Sequence, residues 1–365
     1  MKGEGKVALG LVALGLALTG IAWGGMSIRG EDAIVVNAAT GDPETLSIVW
    51  GGDTMVGDAS VALAQKHGYD WPFDGVRHLL DGDVVIVNAE APLTTLDEPF
   101  SPNKLYSYVA APASALSLAS VGVTVLGLAN NHTLDQGPPG LADTVHYAQQ
   151  AGLTTFGAGM NDSEAERPLV VRGPGFTVGV VALAKGYGTR VTAGRARAGT
   201  VALSSASIGR GYALAKEAGA DFVVAYVHWG ENYRPLMTEQ RLVASHFAAA
   251  GYDLVVGHGP HVMQGAEAIG SMPVFYSLGN FVYGSPGRFT KEQPGRGLVL
   301  RTEFGKGGLT SMTVTSIDVD NKEVTYQPHP SSPQDAGVAL GALGLSAVVT
   351  GATATLYLPD TGEGG

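Results

Sequence analysis

Cysteine is absent from all 365 residues. That excludes disulfide staples, thiolate catalysis, thiolate zinc sites and a lipid-anchored N-terminal cysteine. Charge is scarce as well: only 15% of residues are Asp, Glu, Lys or Arg, and the balance is acidic, with a formal net charge of -11. A chain short of basic residues has no broad cationic face with which to displace the counterions of nucleic acid, so a nucleic-acid partner is excluded. An acidic substrate would have to be attracted by local cations. Apolar residues, in contrast, make up 45% of the chain, enough for a sizeable core and too many for global disorder. Glycine is abundant, with 53 residues, which implies many tight turns and close backbone approaches.

The N-terminus carries Lys2 and Lys6 ahead of an uncharged run from Val7 to Ile28, and Arg29, Glu31 and Asp32 follow it. Basic residues before an apolar stretch of that length read as a signal peptide or an uncleaved signal anchor with the lysines inside. No small-x-small cleavage site precedes Trp23, so residues 1–28 are read as a single-pass membrane anchor. A cleaved signal would release a secreted protein instead. Either way, the remainder is expected outside the cytoplasm. Residues 29–45 read as a linker and 46–330 as the main domain. In residues 331–365 a second uncharged run, Ala336 to Leu358, alternates at its end like a strand. It is read as a terminal helix and an edge strand, the other reading being a second membrane span.

From Leu46 onward, short apolar runs are followed by polar clusters and then by helical stretches. The runs are Leu46–Trp50, Val84–Val87, Val121–Leu128, Phe176–Leu183, Phe222–Val227, Leu254–Val256 and Pro273–Tyr276; helices are expected at 60–66, 112–120, 140–151, 204–219 and 238–250. Such alternation predicts an α/β fold. Leu298–Phe304, Leu309–Ile317 and Glu323–Gln327 read as successive antiparallel strands.

The polar groups sit where these runs end. Asp53 follows Gly51-Gly52, and Glu90 follows Asn88-Ala89. Asn131 and His132 follow the third run, His228 and Glu231 the strand from Phe222, His258 and His261 the strand from Leu254, and Asn280 the strand from Pro273. Six strands each deliver a polar side chain at the carboxyl end, the edge where open α/β sheets build their sites. Carboxylates, amides and imidazoles gathered there suit a hard-to-borderline divalent cation. The remaining histidines, at 67, 78, 146, 246 and 329, read as surface or core residues. Taken singly, each of these features is more often a cap, a turn or a structural hydrogen bond; it is their coincidence that points to a site.

The combination Leu128-Ala129-Asn130-Asn131-His132-Thr133-Leu134-Asp135, then His228-Trp229-Gly230, Gly257-His258-x-Pro260-His261 and Tyr276-Ser277-Leu278-Gly279-Asn280-Phe281 resembles the CapA (PgsA) family of capsule and poly-γ-glutamate biosynthesis proteins. The likeness covers about residues 46–285. It implies a branch of the calcineurin-like metallophosphoesterases: a β-sandwich flanked by helices (four layers, α/β/β/α) with one or two divalent metal ions, of Mn, Zn, Fe or Mg type. The resemblance implies that Asp53 and His261 hold one metal, that Asn131, His228 and His258 hold the other, and that Glu90 stands in the bridging position. His132 is implied as the acid that meets the leaving group. Asp58, Glu231 and Asn280 are candidates for orienting the imidazoles. Two departures thin the shell of the first metal: Asp53 is followed by Thr54-Met55 rather than by x-His, and two residues separate His258 from His261. The implied functions are a metal-dependent hydrolase, cutting a phosphoester or a γ-glutamyl amide, or a non-catalytic accessory subunit. The latter would sit beside membrane synthase subunits and bind an anionic polymer such as poly-γ-glutamate through its metal site. A metal that merely stabilises the fold is the third reading.

Overall fold

A computed structural model describes residues 33–358 of the chain. The anchor or signal segment expected at 1–28 lies outside the described residues. Two large sheets dominate. One has seven strands in the order Ile34–Asn37, Leu169–Arg172, Thr177–Ala184, Phe222–His228, Leu254–His258, Met272–Phe275, Ala266–Ile269. The main path of the other runs Ser346–Thr350, Thr353–Tyr357, Gly308–Asp318, Arg296–Gly305, Leu46–Met55, Val84–Ala89, Val125–Gly127, Thr154–Phe156, and Asn280–Tyr283 adds to it beside Leu46–Met55.

The central strands of both sheets are parallel and almost uniformly apolar, as expected where both faces are covered. Their side chains divide by the two-residue period of a strand. Ile48, Trp50, Val84 and Ile86 from one sheet meet Val224, Tyr226, Leu254 and Val256 from the other in a shared core. The alternate residues Val49, Val85 and Val87 turn outward to pack with Leu118 and Leu141 of helices Ala113–Ser120 and Gly137–Gln150. On the opposite side, Val223, Ala225 and Val255 pack with Ile208, Ala215, Ala244 and Phe247 of helices Ser205–Glu217 and Thr238–Ala250. The result is four layers, helix, sheet, sheet, helix, as the calcineurin-like resemblance implied.

Trp50 sits at the centre of the sandwich, fully buried. Its ring centroid lies 6.0 Å from that of Tyr226, and its indole nitrogen donates to Thr302 Oγ1 at 3.0 Å. Trp50→Ala would open a cavity and remove the donor to the Thr302 hydroxyl, which keeps its own bond to the Ile48 carbonyl. A loss of about 3–5 kcal/mol is expected, read as a lower denaturant midpoint at unchanged slope.

Several local readings change. Ile34–Asn37, inside the stretch read as a linker, pairs in parallel with Leu169–Arg172 and forms the sheet's edge. Within Glu323–Gln327 there is no strand. Asn321–Val324 is a short helix capped by Asp320, and Thr325 and Tyr326 then take positive φ values of 51° and 62°. That left-handed turn overrides the β-preference of Val-Thr-Tyr. The stretch from Ala336 to Leu358 belongs to helix Pro333–Gly341 and a β-hairpin, in which Ser346–Thr350 is the edge and Thr353–Tyr357 pairs with Gly308–Asp318. Among the described residues, no helix is long and apolar enough to cross a membrane.

Candidate metal centre

Strand register brings the polar residues together. In one sheet His228 pairs directly with His258; in the other Asp53 stands between Asn88 and Asn280. The ladder between Leu46–Met55 and Val84–Ala89 slips between Trp50 and Asp53, a bulge of the kind that re-aims side chains beside sites. Gly52 makes this geometry accessible: a Cβ there would stand 1.9 Å from the Gly279 carbonyl oxygen, which instead accepts the Asp53 amide at 2.9 Å. His261 follows in the loop after His258 at φ 61°, a left-handed conformation that is rare for a residue with a Cβ. Backbone strain of this sort persists where surrounding contacts impose it, and such places cluster at functional sites.

Five of the six expected ligands converge. Asp53, His228 and His258 form one group and Asp53, Glu90 and His261 another; within each the ligand atoms lie within 4.8 Å of one another, and every member is buried. Asp53 is therefore common to both groups. One Asp53 oxygen is 3.2 Å from His261 Nδ1 and the other 3.9 Å from His258 Nδ1. Glu90 reaches His228 Nδ1 with one oxygen at 3.2 Å and His261 Nε2 with the other at 3.8 Å. His228 and His258 face each other through Nδ1 atoms 3.0 Å apart.

Asn131, the sixth expected ligand and an amide, stands at the pocket that His261 and His132 also line. Its backbone carbonyl accepts from Lys104 Nζ at 2.6 Å. Its neighbour Asn130 enters the buried network, donating to Asn88 Oδ1 at 3.0 Å and to the Ala89 carbonyl at 2.8 Å. Of the three residues expected to orient imidazoles, Asn280 places Oδ1 2.9 Å from His261 Nδ1. Asp58 instead accepts from Ser285 Oγ at 2.5 Å, and Glu231 pairs with Lys185 at the surface. Both carboxylates are exposed, so water competes for them and neither touches a ring.

Two residues matter more than their sequence context suggested. Asn88 Nδ2 donates to Asp53 Oδ1 at 2.8 Å and Glu90 Oε1 at 3.0 Å, and lies 3.3 Å from His228 Nδ1. It thus holds both carboxylates and sets the spacing of the cluster. Asp135 lies 2.7 Å from His132 Nδ1, accepts the Tyr108 amide at 2.7 Å, and pairs with Lys104. The three-residue step from His132 to Asp135 within one motif was the available signal.

The electrostatics fit a cation. Burial pushes Glu90 up to about 8, and the neighbouring Asp53 charge adds to the rise. Burial opposes the Asp53 charge too, but the hydrogen bond and charge of His261, with His228 and His258 close by, hold its carboxyl well below the usual range. His261 is disfavoured as a cation by burial, yet Glu90 and Asp53 lift it to about 9. His258 falls to about 4 and His228 falls well below its ordinary value, both chiefly through burial. Glu90 Oε2 and His258 Nε2 are buried without any hydrogen-bond partner. Unpaired polar atoms in a dry interior cost about 1–3 kcal/mol each. The Tyr283 hydroxyl lies near Glu90 without closing a hydrogen bond to it. Two neutralisable imidazoles, two carboxylates and orphaned donor atoms make a set that one or two divalent cations would satisfy.

Beside the cluster opens a cavity of about 400 Å³. His261 and His132 reach it from within, and Tyr108, Tyr283, Lys104 and Arg288 line its walls. The Tyr108 ring stands 4.5 Å from the His132 ring, so Asp135 and Tyr108 fix the imidazole between them.

Residues 47–285 match the family model described as bacterial capsule synthesis protein PGA_cap. The chain is 30% identical to the capsule biosynthesis protein CapA of Bacillus anthracis over 68% of its own length and 62% of that protein's. With the PGA biosynthesis protein CapA of Bacillus subtilis it shares 29% identity, over 76% of this chain and 72% of the other. A probable polyglutamine synthesis accessory protein of Mycobacterium tuberculosis is 27% identical over 66% of this chain and 75% of its own. The solved NAD nucleotidase NadN of Haemophilus influenzae covers 81% of this chain and 55% of its own at 12% identity and a TM-score of 0.42, too low to weigh. The motifs at Asn131-His132, His228, His258 and Asn280 thus lie within the matched span, and the chain belongs to the bacterial capsule synthesis protein PGA_cap family.

Proposed function

We propose that this chain is an extracytoplasmic, membrane-anchored, metal-dependent hydrolase of capsule polymer metabolism, acting on a phosphoester or a γ-glutamyl amide. The observation that carries the reading is a pair of buried ligand groups sharing Asp53 beside a cavity that holds an oriented imidazole, His132. Asp53, Glu90, His228, His258 and His261 would hold the cations. Bound there, divalent ions supply an activated water at neutral pH and neutralise charge that develops on the attacked group. The chain's own residues do the rest. Asn88 fixes Asp53 and Glu90 by hydrogen bonds to both. Asp135 accepts from His132 Nδ1–H. In the doubly protonated imidazolium, which burial opposes and the Asp135 charge supports, Nε2–H carries the proton that passes to a leaving group and leaves the ring neutral. Tyr108 and Tyr283 wall the cavity and limit water. The apolar, lysine-flanked N-terminus supports placement outside the membrane.

The test is turnover by the purified chain loaded with Mn²⁺ or Zn²⁺ on a nitrophenyl phosphodiester, the corresponding monoester and a γ-glutamyl anilide. Measurable metal-dependent hydrolysis of any of them is expected. No turnover on all three, with metal shown to be bound, rejects the hydrolase. What then stands is an accessory role in which the metal site and the pocket cation Arg288 grip an anionic polymer beside membrane synthase subunits.

A further inference from the structure

The cavity holds two basic side chains, and they differ. Lys104 is already committed: it pairs with Asp135 and donates to the Asn131 carbonyl, so its charge serves the His132 support. Arg288 has no carboxylate within ion-pair distance among the described residues. Its guanidinium carbon lies 4.6 Å from the ring centroid of Tyr233 and 5.5 Å from that of Tyr106. Lying over two aromatic rings attracts the cation without neutralising it. Tyr233 is itself held 5.6 Å from the His261 ring, which ties the stack to the metal cluster. The carboxylate among the residues lining the cavity is Asp58, and it accepts from Ser285 Oγ. In a chain of net charge -11, a guanidinium left unpaired at a cavity wall is a receptor for a planar or tetrahedral oxyanion.

We propose that Arg288, stacked on Tyr106 and Tyr233, is the specificity-determining residue of the cavity. It would bind a second anionic group of the substrate, a carboxylate or a phosphate, outside the bond that is cut. This deepens the hydrolase reading and rests on it for the word substrate. The binding claim itself needs no turnover. A substrate with anionic groups on both sides of the labile bond would be gripped at two points, one at the cluster and one at Arg288.

The test is calorimetric titration of the full chain, stripped of metal with chelator, with two pairs of probes. Tri-γ-glutamate against its carboxamide analogue reports the carboxylate source, and glycerol phosphate against glycerol reports the phosphate source. Arg288 is exposed, so the wild-type chain is expected to prefer the charged member of at least one pair by about two- to fivefold, the range of an exposed ion pair. Arg288→Met should erase that preference, and Arg288→Lys, which keeps the charge but not the fork, should retain part of it. Equal preference in wild type and Arg288→Met overturns the proposal. So does equal weakening of charged and neutral probes, or failure of wild type to bind any charged probe at millimolar concentration. Anion binding that depends on Arg288 in a chain with no turnover would reject the hydrolase alone. Turnover combined with Arg288-independent binding would reject this inference alone.

Discussion

Asp53→Ala is expected to empty the cluster of divalent metal and to lower hydrolysis about a thousandfold or more. Asp53 is the residue common to both ligand groups, so one substitution removes a ligand from each. The charge stabilisation supplied by bound cations amounts to several kcal/mol, and each 1.36 kcal/mol is tenfold in rate. Elemental analysis should fall from one or two metal ions per chain to near zero. A variant that keeps both its metal and its rate would remove Asp53 from the site.

Metal loading should also depend on pH, with a sign that follows from the cluster. Glu90 and His261 are both lifted above their ordinary values, each under the influence of the other's charge, so the metal-free pair holds at least one proton at pH 7. A cation binds the deprotonated ligands, so binding should expel about one proton or more there and almost none above pH 10. Affinity should rise with pH across that interval. Titration calorimetry in buffers of different ionisation enthalpy measures the number directly, and proton release near zero at pH 7 would contradict the ligand set.

The second large effect is at His132. Its ring is pinned by Asp135 at 2.7 Å and by the Tyr108 ring, and it opens on the cavity rather than into the ligand cluster. Burial lowers its affinity for a proton, and the hydrogen bond and charge of Asp135 work against that loss. His132→Ala should lower kcat by about 10²–10⁴, the usual range for a general acid, while metal content stays as in wild type. The loss should be largest for a poor leaving group such as an alkoxide and small for nitrophenolate, which leaves unaided. Asp135→Asn should act in the same direction with a smaller loss, since the ring keeps a neighbour but not a charged one. A uniform loss across leaving groups, accompanied by lost metal, would reassign His132 as a structural support of the cluster.

Much of this was readable from the chain alone, for a local reason. A parallel strand buried on both faces must be apolar throughout, so Val84–Val87 or Phe222–Val227 stand out in the sequence, and the polar residues within a few positions past each run mark the carboxyl edge of the sheet. Asp53, Glu90, His228, His258 and His261 were found in that way and lie together. Less was readable where pairing partners are distant. Ile34–Asn37 has no pattern that separates it from a linker until Leu169–Arg172 offers it an edge. Asp58 and Glu231 stand as close in sequence to the motifs as Asn280 does, but exposure gave them Ser285 and Lys185 as partners.

The sequence by itself determined the α/β class, the carboxyl edge and the chemistry of the ligands, because strand period and burial act over a few residues; the four layers were implied only by the family resemblance. Only the tertiary structure decided which ligands share a group, that Asn130 rather than Asn131 joins the buried network, that Asn88 spaces the carboxylates, and that Arg288 faces the cavity unpaired. Those outcomes depend on the register between strands remote in the chain and on the slip between Trp50 and Asp53. Register is set by the packing of whole sheets, which no short stretch of residues encodes.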